Sequence, residues 1–128
     1  MPFENFTVIS TYTRAQAIED GVLIDITATA AEHGFKLHTV VTDNLYHQYL
    51  TPPEGLSAGE GQSLTGRLHD LLTMAMTAAR KGLGSNQVEF EVLFLMRPGV
   101  TERVKVIAHV GPGDDPAPVL TLMLPGDD

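Results

Sequence analysis

From Val88 to Val110 apolar and polar side chains alternate on either side of one turn, and no other pattern in the chain constrains the fold as tightly. Val88, Phe90, Val92, Phe94 and Met96 interleave with Glu89, Glu91, Leu93 and Leu95. Beyond Arg97-Pro98-Gly99-Val100, the residues Val104, Val106, Ala108 and Val110 interleave with Arg103, Lys105, Ile107 and His109. A period of two sends successive side chains to opposite faces of a strand, so the segment predicts a hairpin with one apolar and one charged face. Folding about Gly99 opposes Phe94 to Val104 and Val92 to Val106, sets Glu91 diagonal to Lys105, and places Glu89 opposite His109. A third strand, Val119 to Leu124, follows a Gly- and Pro-rich turn; as the last strand of a meander it leaves a bare edge open to pairing.

The segment before the hairpin has the other period. Leu64, Leu68, Leu71, Leu72, Ala75 and Ala79 line one face of a helix over 63 to 81. Arg80 and Lys81 suit its C-terminal dipole, and Gly82 supplies a C-cap. Met74 and Met76 widen the apolar arc. Nearer the N-terminus, Thr13-Arg-Ala-Gln16 fits a capping box for a helix over 14 to 20 ended by Gly21. Val22 to Ile26 reads as a short buried strand, Thr27 opens a helix stopped at Gly34, Lys36 to Val41 reads as a strand, and Thr42 opens a helix ended by Pro52. The prediction is an α+β domain spanning 1–128: short helices and strands over 1–50, a loop over 51–61, and over 62–128 a long helix carrying a three-stranded antiparallel sheet.

Several function classes are excluded by what the chain lacks. Without cysteine there is no disulfide framework, no thiol catalysis and no Cys-ligated metal. A net charge of −8 disfavours direct binding to nucleic-acid phosphates. The N-terminus has no secretory signal pattern, and no run approaches the ~20 apolar residues of a membrane span, so a cytoplasmic location is expected. No Gly-x-Ser-x-Gly elbow is present. The loop Gly111-Pro-Gly-Asp-Asp115 has no Lys, Ser or Thr to hold a phosphate. Neither a metal nor a cofactor is predicted: His33, His38, His47, His69 and His109 show no i, i+4 pair, and solvent-facing or locally bonded imidazoles account for all five.

Two segments carry a family resemblance. Tyr12-Thr-Arg-Ala-Gln-Ala-Ile-Glu-Asp-Gly-Val-Leu-Ile-Asp-Ile-Thr27 and the terminal Gly-Pro-Gly-Asp-Asp…Pro-Val-Leu-Thr-Leu-Met-Leu-Pro-Gly-Asp are similar to a family of short uncharacterised bacterial proteins found on plasmids, integrative elements and prophages. The resemblance implies a mobile-element accessory protein, in a neighbourhood where proteins opposing host defences are frequent, and it carries no catalytic residue over. Three readings follow. The leading one is a non-enzymatic acidic module that binds a protein partner through Glu54, Glu60, Asp114 and Asp115. The second is a small-ligand or catalytic pocket near Tyr12, Arg14 and Asp25, roofed by loop 51–61. The third is a structural homodimer joined through Met74, Met76 or the last strand.

Overall fold

The local signals become local structure. Thr13 caps helix α1 (Arg14–Glu19), its hydroxyl accepting from the Gln16 amide while the Gln16 side chain accepts from the Thr13 amide, so both halves of the capping box form. Gly21, at φ 79°, ends α1 in a left-handed turn: the Gly21 and Val22 amides donate back to the Ile18 and Ala17 carbonyls. The chain then forms β1 (Leu23–Asp25), α2 (Thr27–Glu32), β2 (His38–Thr42), the single turn α3 (Asp43–Leu45) running into a π-helical turn (Tyr46–Leu50), α4 (Leu64–Lys81), β3 (Gln87–Arg97), β4 (Val100–Pro112) and β5 (Pro118–Met123). This computed structural model describes residues 13–53, 63–82, 85–113 and 117–127.

The sheet differs from the three-stranded meander predicted above. It has five strands in the order β1-β2-β5-β4-β3, and β5 lies inside it, parallel to β2 and antiparallel to β4. The last strand is therefore not a bare edge, which removes it as a dimer interface. Burial explains the placement: Val119 to Leu122 are all buried, which requires cover on both faces, whereas an edge strand of a meander has cover on one.

The hairpin register also differs. Val92 faces Val104, Phe90 faces Val106, and Glu91 stands directly opposite Lys105, two residues from the predicted alignment. The cause is a bulge between Leu95 and Arg97, ahead of a turn closed by Arg97 and Val100. Continuing the turn's register without the extra residue would set Phe94 against Arg103 and Val92 against Lys105. One added residue restores a common apolar face.

That face packs on α4, which is capped by Ser63 and buries Leu68, Leu71, Leu72 and Ala75 against Phe90, Val92, Phe94, Val106, Leu120, Leu122 and Val41. Gly82 ends α4 at φ −99° and not in the left-handed conformation; its requirement is close approach, since a Cβ there would lie 2.3 Å from Val88 Cγ1. Buried Arg67 fastens α4 to its surroundings. Its guanidinium donates to the Tyr49 carbonyl at 2.6 Å and to the Leu95 carbonyl, and lies 5.4 Å from the centre of the Phe94 ring. Burial pulls the Arg67 pKa below its ordinary value, and the charge of Asp70 opposes that pull.

The second face is covered over β2 and β5 and open over β3 and β4. Ala17 on α1, Val40 on β2 and Val119 on β5 are buried outside the main cluster, and Arg14 of α1 donates to Thr121 on β5. Asp127 closes the C-terminal end by accepting from Thr42 Oγ1 at 2.7 Å, Asn44 Nδ2 at 2.9 Å and the Leu124 amide at 2.9 Å. Among the described residues no helix is long and apolar enough to cross a membrane.

Candidate functional site

On the α1-covered face, strand pairing sets Asp25 opposite Val40, so His38 on β2 is its diagonal neighbour. Their side chains meet, with His38 Nε2 3.1 Å from Asp25 Oδ2. The other carboxylate oxygen accepts from the Thr27 amide at 2.9 Å and from the Thr27 hydroxyl at 2.6 Å, and that hydroxyl accepts from the Thr39 amide at 3.0 Å. Burial raises the Asp25 pKa, but the hydrogen bonds from Thr27 and His38 outweigh it and hold the carboxyl below its ordinary value. An ionised carboxylate only accepts, so His38 Nε2 carries the proton of this contact and Nδ1 is the ring nitrogen left for another partner.

His38 lines a cleft of about 520 Å³ between α1, the chain entering β2, and the facing ends of β4 and β5. Arg14, Ala15 and Ile18 form one wall; Lys36 and Leu37 lead into His38; Gly113, Ala117, Pro118 and Val119 close the far side. Arg14 is positioned by donating from Nη1 to Thr121 Oγ1 at 2.9 Å. The cleft thus gathers a guanidinium, an ammonium and an imidazole in a chain that carries twice as many acidic as basic residues. Chemically, that set can hold an anion and can present the second ring nitrogen of His38 beside it.

Of the residues singled out in the sequence, Arg14 and Asp25 reach this region by different routes. Arg14 lines the cleft, whereas Asp25 joins it through His38 and itself borders a neighbouring depression with Ile24, Thr27 and Tyr46. Tyr12, Glu54, Glu60, Asp114 and Asp115 lie outside the described residues, as does the loop beyond Pro53. Met74, one of the expected interface methionines, is 41% exposed on α4, and Met76 is half-buried. Sequence reading missed Lys36 and the role of His38. The available signal was the pair of short β-type runs on either side of α2, whose antiparallel pairing makes Asp25 and His38 neighbours.

No curated protein and no solved structure matches the chain. A family model does, across residues 1–128, and the chain therefore belongs to the family of unknown function DUF6573.

Proposed function

We propose that this protein binds a small anionic molecule, carboxylate- or phosphate-bearing, in the cleft between α1 and the β2–β5 pair. The observation that carries the reading is the gathering of Arg14, Lys36 and the Asp25-oriented His38 around one cavity of about 520 Å³, a size that suits a metabolite. Arg14 supplies a fixed positive charge in the cleft wall, Lys36 a mobile charge, and the His38 ring a hydrogen-bonding partner for the ligand.

The test is a titration with inorganic phosphate and citrate, followed by backbone amide NMR. The expected result is saturable shifts at Ala15, Lys36, His38 and Gly113, weakened roughly tenfold in Arg14→Gln and in Lys36→Gln. Shifts scattered over the surface, or variants that bind as tightly as the unaltered protein, would remove the reading.

The charge of −8 favours a second reading, an acidic module that binds a protein partner as an accessory of a mobile element, possessing no catalytic residue. Neutralising Glu54, Glu60, Asp114 and Asp115 together is expected to abolish partner capture while leaving the Arg14 and Lys36 titration unchanged. Capture that survives the four substitutions would exclude that surface.

A further inference from the structure

Away from the cleft, two histidines that stand thirty-six residues apart in sequence face each other nitrogen to nitrogen. His33, the C-cap of α2, places Nε2 2.8 Å from Nδ1 of His69 on the second turn of α4. We propose that this pair is a binding site for a divalent transition metal of tetragonal preference, copper(II) or nickel(II), which joins α2 to α4.

Three observations carry the inference. The first is the tautomer of His33. Its Nδ1 is 3.0 Å from the Thr29 carbonyl, which can only accept, so Nδ1 carries the proton and Nε2 presents a lone pair toward His69. A backbone carbonyl on the far nitrogen is the arrangement that orients an imidazole ligand and raises its basicity. The second is spacing. Metal–imidazole bonds of about 2.0–2.1 Å at a right angle set two ligand nitrogens about 2.9 Å apart, and a tetrahedral angle sets them about 3.4 Å apart. A hydrogen bond sets the 2.8 Å of the metal-free pair, and from there the two nitrogens have to part least to take neighbouring positions of a square or octahedral ion.

The third is access. His69 is exposed and His33 half-buried, so an ion reaches both without opening the core. In the metal-free pair His69 Nδ1 donates the single proton between the rings. On binding, that ring shifts its proton to Nε2 and turns a second lone pair to the ion. Among the described residues no group of three or more His, Asp or Glu side chains converges as a metal set, so two histidines hold the ion and the remaining positions go to water or an incoming donor.

The site does not depend on the anion cleft, and its test has a separate readout. Tag-free protein is titrated with CuCl₂, NiCl₂ and ZnCl₂ by calorimetry, and the copper-loaded form is examined by electron paramagnetic resonance. One equivalent of copper is expected to bind most tightly, with hyperfine coupling from two imidazole nitrogens and weaker binding as pH falls. His33→Ala and His69→Ala are each expected to weaken binding roughly tenfold or more. His47→Ala, at an imidazole paired with the Asp43 carbonyl, is expected to leave it unchanged. Absence of binding, binding that survives both substitutions, or a spectrum with a single nitrogen would overturn the assignment. Circular dichroism of each variant separates lost binding from lost structure.

Discussion

Burial alternates along β3 and β4, but it runs through four consecutive residues in β2, Thr39 to Thr42, and in β5, Val119 to Leu122. The outer hairpin has one face on α4 and the other in water, where Glu91 meets Arg103 at 3.7 Å and Glu89 meets Lys105 at 3.5 Å. The central parallel pair has cover on both faces and answers its buried polar groups one by one. Thr39 Oγ1 donates to the Leu37 carbonyl, Thr42 Oγ1 donates to Asp127, and Thr121 Oγ1 accepts from Arg14. A hairpin takes its register from a turn and a bulge beside it. A parallel pair far apart in sequence has no local turn, and buried threonines bonded to distant residues, Thr42 to Asp127 and Thr121 to Arg14, supply part of the missing specification.

The contrast breaks first at its centre. Leu122→Ala removes a fully buried side chain from β5 and is expected to cost about 3–4 kcal/mol in urea unfolding, whereas Leu93→Ala, at a residue 60% exposed on β3, is expected to stay within about 0.5 kcal/mol. Similar losses at both positions would refute the difference in cover. Arg67→Ala is expected to cost about 2–3 kcal/mol, because the carbonyls of Tyr49 and Leu95 lose their donor beneath α4. A loss below about 1 kcal/mol would show that water replaces the guanidinium.

Asp127→Asn sharpens the comparison by testing one pin of the central pair, with an expected loss of about 1 kcal/mol at neutral pH. Burial raises the Asp127 pKa, but hydrogen bonds from Thr42, Asn44 and the Leu124 amide hold it below its ordinary value. Its contribution is therefore complete above the unfolded value near 4 and is lost as pH falls through the lower folded value. Asp25 titrates with the same sign, so acid stability is expected to fall below about pH 4, and less steeply in the Asp127→Asn variant. Stability measured from pH 7 down to pH 2 checks this; identical slopes would exclude Asp127 from the acid response. The smallest effect belongs to the wet face, where Glu91→Gln is expected to change stability by less than about 0.5 kcal/mol and to lose that effect in 1 M salt.

Much of the fold was legible where residues that interact are close in sequence. The Thr13 capping box and the end of α1 at Gly21 form as read, and helix α4 forms with Ser63, read as its first residue, standing as its cap. The hairpin was legible as a hairpin but two residues out of register: one comes from the turn closing at Arg97 and Val100 and not about Gly99, the other from Met96, which nothing in the alternation marks as the extra residue. The π-helical turn at Tyr46–Leu50 had no signal, because its bonding differs from a helix by one residue and its apolar spacing fits either. Of the candidate pocket, Arg14 and Asp25 were named, yet their link through His38 follows only once β1 pairs with β2.

The amino-acid sequence by itself determined most of the helices and strands, the Thr13 cap and the sidedness of the hairpin, because each rests on interactions within a few residues or on a period that one strand or helix displays alone, whereas the Thr27 cap read from the sequence does not form and Ile26 stands at that helix's start without a side-chain bond. Tertiary structure alone decided that β5 pairs with β2, that Arg14 reaches Thr121 across 107 positions and Asp127 reaches Thr42 across 85, and that His33 meets His69. A run buried on both faces names no partner and no register, so its place is settled by which packing buries every apolar side chain while leaving each buried hydroxyl bonded.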